Sequence, residues 1–496
     1  MGSPAIVQPE RWGVSLDAVH DLGDRLQAYW ERYRPCFKTQ TRDGSAYAYA
    51  YLSGQLRMDT GRNYANIARQ TGNSEQNMQH FMTNSPWQAQ EVYQQITGEI
   101  MATPELRPGG VLILDESADE KSGEQSAGAQ KQHNGRLGKI ELSQVGVFLA
   151  YANLRQTPVW TWVSGDLFLP EAWLSEERAS QRGHLGIPDD VEFRTKPEIG
   201  WDLIQQEIQT YGLEVDVVCC DTLYGRSTWL RAQLRGASLT YMAEVPCDTQ
   251  VYLKKPQVGI PPRRSRYGRA PTRPQVLSAE QPVEVRSLVH APETRWQRLR
   301  IRSTERGELC DRFAARRVWT VYEGHAIPEW VVMRQERSGK YTYALSNAPK
   351  GTPLTQLAWW KCQRYVIERS NQDAKSELGW DEFQAQKYRA WQHHVACTVL
   401  ASWFVAQTKL EWAQASAQDP ALAQVFEVEV LPMLSMANIR SLLRAVLPLP
   451  QLTPEEAAEQ VIEHLLNRTR SRKSRLKHAA DHAHAPPHDG DVTGTP

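Results

Sequence analysis

An α/β fold is predicted for this sequence. It has a mixed sheet with helices on both faces, an all-α N-terminal domain, and a β-rich insertion ahead of the helix that carries the last candidate site residues. Three observations predict it. The hydrophobic period is helical to about residue 105 and then changes to short, continuous apolar runs. Two of these runs, VLILD (Val111–Asp115) and VDVVCCD (Val215–Asp221), suit buried strands of a covered sheet, and each ends in a carboxylate. A third stretch, 248–347, alternates strand-like pieces with turn residues.

Bulk properties narrow the function. The 57 Lys and Arg balance the 57 Asp and Glu, so attraction to a polyanion must come from local patches. The cysteine count of 7 is odd and no C-x-x-C occurs, against a disulfide framework or zinc ribbon and in keeping with a reducing cytoplasm. No apolar run is long enough to span a membrane, and the N-terminus has no signal-peptide pattern. With 17 tryptophans, most are expected in the core and a minority available for stacking on bases.

Residues 1–108 are read as a helical DNA-binding domain. Within it Arg62–Met82 reads as helix, turn, helix, with Thr71-Gly72-Asn73 as the turn and Ser74 as the second helix's N-cap. That places Gln76, Asn77 and Gln79 to face DNA, the alternative being an ordinary helical hairpin. The first part of the catalytic domain is 109–247. Strands are expected at Val111–Asp115, Ile140–Ala152, Pro158–Ser164, Val215–Asp221 and Ser238–Val245, with helices at Pro197–Tyr211 and Arg226–Arg235. Three strands, helix, strand, helix, strand is the ribonuclease H-like order.

In the insertion, 248–347, strands are expected at Arg316–Tyr322, Trp330–Arg334 and Tyr341–Ser346. Near its start Leu253–Pro274 carries Lys254, Lys255, Arg263, Arg264, Arg266, Arg269 and Arg273 and no acid. Its proline and glycine favour an extended loop, either one that tracks a DNA strand or a merely solvated one. The catalytic domain resumes over 348–412 and ends in the apolar helix Ala390–Trp412. Helices follow over 413–466, and 467–496 is expected to be a disordered basic and polar tail.

The chemistry concentrates in KCQRYVIERSNQDAKSELG (Lys361–Gly379), expected as one helix. At about 100° per residue, Lys361, Arg364, Glu368 and Lys375 fall within about 60° of arc. Trp360, Ile367, Ala374 and Leu378 form an apolar stripe beside them. Such an edge is either a solvated charged face or an acid flanked by phosphate-gripping cations. Asp115 and Asp221, at the ends of buried strands, favour the second, since ligand sites of such sheets lie there. Two Mg²⁺ about 3.5–4 Å apart, held by hard oxygen ligands, activate a nucleophile and stabilise a leaving oxygen at a phosphodiester. The first and fourth strands are neighbours in this order, so Asp115 and Asp221 can converge. Each aspartate alone could instead be a helix N-cap or turn residue.

These residues resemble the Asp-Asp-Glu transposases of bacterial insertion sequences, in particular the group marked Y-x2-R-x3-E-x6-K. Here the pattern is K-x2-R-x3-E-x6-K, as Lys361, Arg364, Glu368 and Lys375, with lysine in place of tyrosine. Similarity extends to Asp115–Val147, Leu167–Ile199 and DTLYG (Asp221–Gly225), and covers roughly residues 40 to 410.

The resemblance implies an enzyme that binds double-stranded DNA at terminal inverted repeats, cuts it using Mg²⁺ (Mn²⁺ substituting) and joins the 3′-hydroxyl to target DNA. Asp115, Asp221 and Glu368 would be both catalytic and metal-holding. Lys361, Arg364, Lys375, Arg263, Arg264 and Arg266 would contact DNA, with Lys121, Lys139 and Lys196 as further candidates. It also implies a homodimer in the synaptic complex, a cytoplasmic location at the nucleoid, and, in relatives with an insertion, a tryptophan stacked on a flipped base, for which Trp319 and Trp330 are candidates. Two alternatives remain: a transposase-derived DNA-binding protein that does not cut, and a junction nuclease of the same fold.

Overall fold

The computed structural model of the protein describes residues 4–134, 138–155, 157–263, 269–304 and 307–483. The N-terminal region is helical as expected: α1 (Leu16–His20), α2 (Leu22–Tyr33), α3 (Ser45–Arg57), α4 (Tyr64–Gln70), α5 (Glu75–Thr83) and α6 (Ala89–Ala102). In α2 the buried Leu22, Leu26, Tyr29, Trp30 and Tyr33 recur at helical spacing, which turns one face to the core. Helices α4 and α5 form the anticipated hairpin. Asn63 caps the first by accepting from Asn66 N at 3.0 Å, Gly72 supplies φ +70° in the turn, and Ser74 caps the second by accepting from Asn77 N.

The sheet begins with β1 (Val111–Glu120), β2 (Gln130–Asn134), β3 (Lys139–Asn153) and β4 (Val159–Phe168). After α7 (Ala179–Leu185) and α8 (Lys196–Gln205) come β5 (Val217–Cys220), α9 (Thr222–Gly225), α10 (Thr228–Gly236) and β6 (Tyr241–Val245). Strand β1 pairs antiparallel with β3 and parallel with β5, and β5 pairs parallel with β6. The two runs that end in aspartates are therefore neighbours. Strand β1 does not stop at Asp115. It continues to Glu120 because Asp115–Glu120 pair with Ser143–Phe148 of β3. Strand β2, whose QKQHN carries no apolar alternation, forms on the other half of β3 and was not anticipated.

The insertion opens with two short ribbons, β7 (Gln250–Val251) on β10 (Val283–Glu284) and β8 (Val258–Gly259) on β9 (Gln275–Val276). Then follow β11 (Gln297–Thr304), β12 (Gly307–Tyr322), β13 (His325–Gln335) and β14 (Tyr341–Ser346). Strand β14 pairs with β6, so the insertion lengthens the same sheet: β11-β12-β13-β14-β6-β5-β1-β3-β2, with β4 also on β3. Buried Glu329 ties the two parts together. It accepts from Tyr241 Oη at 2.5 Å and from Thr320, and Arg231 Nε of α10 lies 3.3 Å away.

The chain ends in α11 (Leu354–Lys361), α12 (Tyr365–Gln372), α13 (Tyr388–Ala415), α14 (Pro420–Val425), α15 (Met436–Val446) and α16 (Pro454–Ala483). The 28-residue α13 is buried along most of its length and packs against β4, α3, α5 and α6. One core thus runs from Leu22 to Leu443 through both the helical region and the sheet. Ten of the 17 tryptophans are buried in it, as the composition suggested. All seven cysteines are free thiols. No helix among the described residues is long and apolar enough to cross a membrane.

Two expectations are corrected. Lys361–Gly379 is not one helix. Lys361 closes α11, Cys362 and Gln363 form a break, and α12 is followed by a wider π-turn, Asp373–Glu377. The break has a tertiary cause: Arg302 of β11 donates to Cys362 O at 3.2 Å and stacks 3.4 Å over the Tyr365 ring, so this carbonyl turns out of the helical ladder. The basic run Asn467–His478 is not disordered either, since α16 continues through it to Ala483. No proline or glycine interrupts 455–483, and Thr453 and Glu456 cap the start reciprocally at 2.8 and 3.2 Å. Residues 484–496 of the expected tail lie outside the described residues.

Candidate active site

Register brings the two aspartates together. Leu114 of β1 is paired with Cys220 of β5, and Asp115 and Asp221 are the next residues on strands about 4.8 Å apart. Asp221 leaves the strand to cap α9, its Oδ1 accepting from Leu223 N at 2.9 Å and Tyr224 N at 3.3 Å. The N-cap reading of this residue thus holds. The DTLYG motif has a steric reason as well. A Cβ on Gly225 would lie 1.9 Å from Glu244 O, so only glycine lets α9 settle against β6.

Burial pushes the Asp115 carboxyl well above its usual range, with repulsion from Asp221 and Glu116 adding to it and Arg364 opposing. Asp221 rises to about 6, again through burial first and then Glu116, against its two backbone donors and Arg364. Glu116 was missed at the sequence level. Its Oε1 takes Lys196 Nζ at 3.2 Å, and its carboxyl also lies against the buried Tyr224 hydroxyl.

Glu368 is exposed on α12, and Arg364 bridges it to Asp115. The Arg364 guanidinium places Nη2 2.5 Å from Glu368 Oε1, Nε 3.3 Å from Glu244 Oε2 and Nη1 3.9 Å from Asp115 Oδ2. Among the described residues, no three His, Cys, Asp or Glu side chains stand as a ready-made metal cage. The donor chemistry nevertheless fits a divalent cation: crowded, desolvated carboxylates with hard oxygens, and a guanidinium already drawn in to supply positive charge.

Glu244 was also missed, although a lone acid in the otherwise apolar strand YMAEV was a signal. Burial raises its carboxyl, but Lys361 and Arg364 overcome that and hold it below the ordinary range. Lys361 Nζ lies 3.2 Å from Glu244 Oε1 and the lysine side chain is wholly buried. Its expected DNA contact is therefore corrected: the ammonium is enclosed by the protein. Lys375 also turns inward, donating to Ala118 O at 2.7 Å with its ammonium 5.3 Å from the Trp380 ring. It braces β1 rather than facing outward.

Of the other candidates, Lys121 pairs with Asp119 and donates to Phe383 O at 2.9 Å, Lys196 is held by Glu116, and Lys139 is exposed beside Glu141. Gln76, Asn77 and Gln79 are exposed on α5. Arg263 lies on an exposed loop; Arg264 and Arg266 lie outside the described residues. Trp330 is pinned by donating to Pro349 O at 3.2 Å, with Arg317 5.1 Å from its ring. Trp319 is bridged through its backbone to Tyr252.

The family described as DDE superfamily endonuclease matches residues 32–308, more than half of the chain. The chain belongs to the DDE superfamily endonucleases. The matched stretch holds Asp115 and Asp221 and stops short of Glu368. The chain is also 29% identical over 205 residues to the probable transposase for insertion sequence element IS701 of Microchaete diplosiphon, covering 41% of this chain and 48% of that protein. It spans about half the length of that curated relative.

Proposed function

We propose that the protein is a transposase of the insertion-sequence type, which binds the inverted repeats at its element's ends, cleaves the DNA and transfers the freed strand to a target. One observation carries this reading: Asp115 and Asp221 each follow directly on the last paired residues, Leu114 and Cys220, of two parallel strands, with Arg364 linking Asp115 to Glu368. Asp115, Asp221 and Glu368 would hold divalent cations, Mg²⁺ or Mn²⁺. Such ions, when bound, supply a nucleophilic oxygen at neutral pH and neutralise charge on the leaving oxygen.

The chain's own residues do the rest. Arg364, a quarter exposed, presents a planar fork that matches a phosphate's oxygens. Helix α5 offers Gln76, Asn77 and Gln79 to base edges, while the basic stretch that includes Arg263, Arg264 and Arg266 follows the backbone electrostatically. The first lies on the helical hairpin and the second on the sheet insertion, so end recognition and strand tracking come from separate elements. Bringing two ends together calls for a homodimer on DNA, acting in the cytoplasm at the nucleoid.

The test is cleavage of DNA carrying the element's ends, with Mg²⁺, by the wild type and by Asp221→Asn. Strand scission by the wild type and none by the variant is expected. Equal scission by both overturns the assignment, and binding without metal-dependent nicking by the wild type identifies a non-cutting descendant instead.

A further inference from the structure

Four side chains from three elements form one chain of charges beside the aspartates. Lys361, at the end of α11, binds one oxygen of Glu244 on β6 at 3.2 Å. The other Glu244 oxygen takes Arg364 Nε at 3.3 Å. The outer nitrogens of Arg364 then reach Glu368 at 2.5 Å and Asp115 at 3.9 Å. Exposure along this chain is graded: the Lys361 side chain is 0% exposed, Glu244 22%, Arg364 26% and Glu368 57%. One end is therefore fixed, because a buried ammonium cannot cheaply give up the one counter-charge it has among the described residues. The other end is free to let go, because Glu368 can turn into solvent and back.

We propose that Arg364 is an internal cation that occupies the carboxylate cluster until divalent ions arrive, and that Glu244, locked by Lys361, is the positioning residue that keeps the guanidinium beside the site afterwards. The proposal rests on Asp115, Asp221 and Glu368 being the ion ligands. An Asp115 or Glu368 oxygen that binds an ion gives up Arg364, whose Nε remains on Glu244. Its two outer nitrogens then point at open space with hydrogens to donate, which is the state a phosphate oxygen needs. The lysine that replaces the tyrosine of the resembled motif acquires a role: it balances Glu244 from the buried side, so Lys361 and Glu244 act as a pair.

The experiment measures Mn²⁺ binding to the DNA-free protein from the electron paramagnetic resonance signal of the unbound ion, a readout independent of catalysis. Arg364→Ala removes the competing cation and should bind Mn²⁺ roughly tenfold more tightly than wild type. Glu244→Gln frees the guanidinium to stay on Asp115 and Glu368 and should bind roughly tenfold more weakly. The double variant should return to the tight binding of Arg364→Ala. Unchanged or weaker binding by Arg364→Ala, or a double variant as weak as Glu244→Gln, overturns the proposal. Glu244→Gln also leaves Lys361 buried beside a neutral amide. If that variant does not fold by circular dichroism, Arg364→Ala decides alone. Asp221→Asn is the control for the underlying assignment: wild-type Mn²⁺ affinity there means the ion ligands are wrong, and the proposal falls with them.

Discussion

Arg62 and Glu382 form a 2.7 Å ion pair although 320 residues separate them in sequence. Arg62 lies just ahead of the α4–α5 hairpin, and its guanidinium also donates to Ser376 O at 3.0 Å and to Glu377 O. Arg440 of α15 takes Glu377 from another side at 2.8 Å. The turn that follows Lys375 is thus gripped by two buried arginines, one of them attached to the proposed DNA-reading hairpin. These contacts tie the helical region to the segment that carries Lys375.

Removing that grip should be costly. Arg62→Ala strips one carboxylate and two carbonyls of their donor at a position only 2% exposed. A loss of about 3 kcal/mol in urea-measured stability is expected. A change under about 1 kcal/mol would mean that water substitutes for the guanidinium and that the clamp is not structural.

Two glycine substitutions should move stability in opposite directions. Gly225→Ala drives a methyl into Glu244 O, a backbone atom that cannot swing away, and should cost about 3 kcal/mol while disturbing Asp221 and Glu244 together. Gly98, inside α6, is exposed, and a Cβ there would meet nothing within 4 Å. Gly98→Ala should stabilise by roughly 0.5–1 kcal/mol. Thermal unfolding of both variants checks the pair, and a destabilised Gly98→Ala would contradict the packing of α6.

The parts of this arrangement that sequence revealed are those with local causes. Asp115 and Asp221 end apolar runs, Ser74 caps a helix in the expected place, and the strand order follows from alternating periods. What escaped depends on distant partners. The break after Lys361 exists because Arg302 reaches it from 60 residues away. Lys361 read as an outward cation because its helical position resembled that of Arg364, and only the β6 acid beside it explains why it is buried. Strand β2 has no apolar pattern of its own and borrows its conformation from β3. Helix α16 was legible: nothing breaks it before residue 484, but the charge run suggested disorder and outweighed that.

If α5 reads bases and the basic loop follows phosphates, their losses should differ in kind. Replacing Gln76, Asn77 and Gln79 with alanine leaves the Ser74 cap intact. Each lost base contact should reduce the preference for end-containing over scrambled DNA by about 1–3 kcal/mol, with the salt dependence of binding unchanged. Alanine at Arg263, Arg269 and Arg273 should weaken both DNAs alike and flatten the salt dependence. Filter binding across a salt series separates the two. A triple α5 variant with full end preference would make the hairpin a purely structural element.

Glu207 should make stability depend on pH. It sits in the π-turn after α8, wholly buried, with Thr97 of α6 donating to its Oε2 at 2.6 Å and the Ser164 hydroxyl also against its carboxyl. Burial raises its carboxyl from 4.5 to about 7. The unfolded chain therefore loses this proton first, and above pH 4.5 the folded state binds more protons than the unfolded one. The contribution is intact below pH 4.5, declines as pH rises, and is gone above about 7. Asp221 and Asp119, both raised to about 6, titrate in the same window, so the difference from Glu207→Gln isolates this group. The variant keeps an acceptor for Thr97 and cannot ionise. It should match wild type at pH 4 and exceed it by on the order of 2–3 kcal/mol at pH 8. Urea unfolding at the two pH values measures this. An equal gap at both would show that Glu207 stays ionised in the fold and that a cation outside the described contacts compensates it.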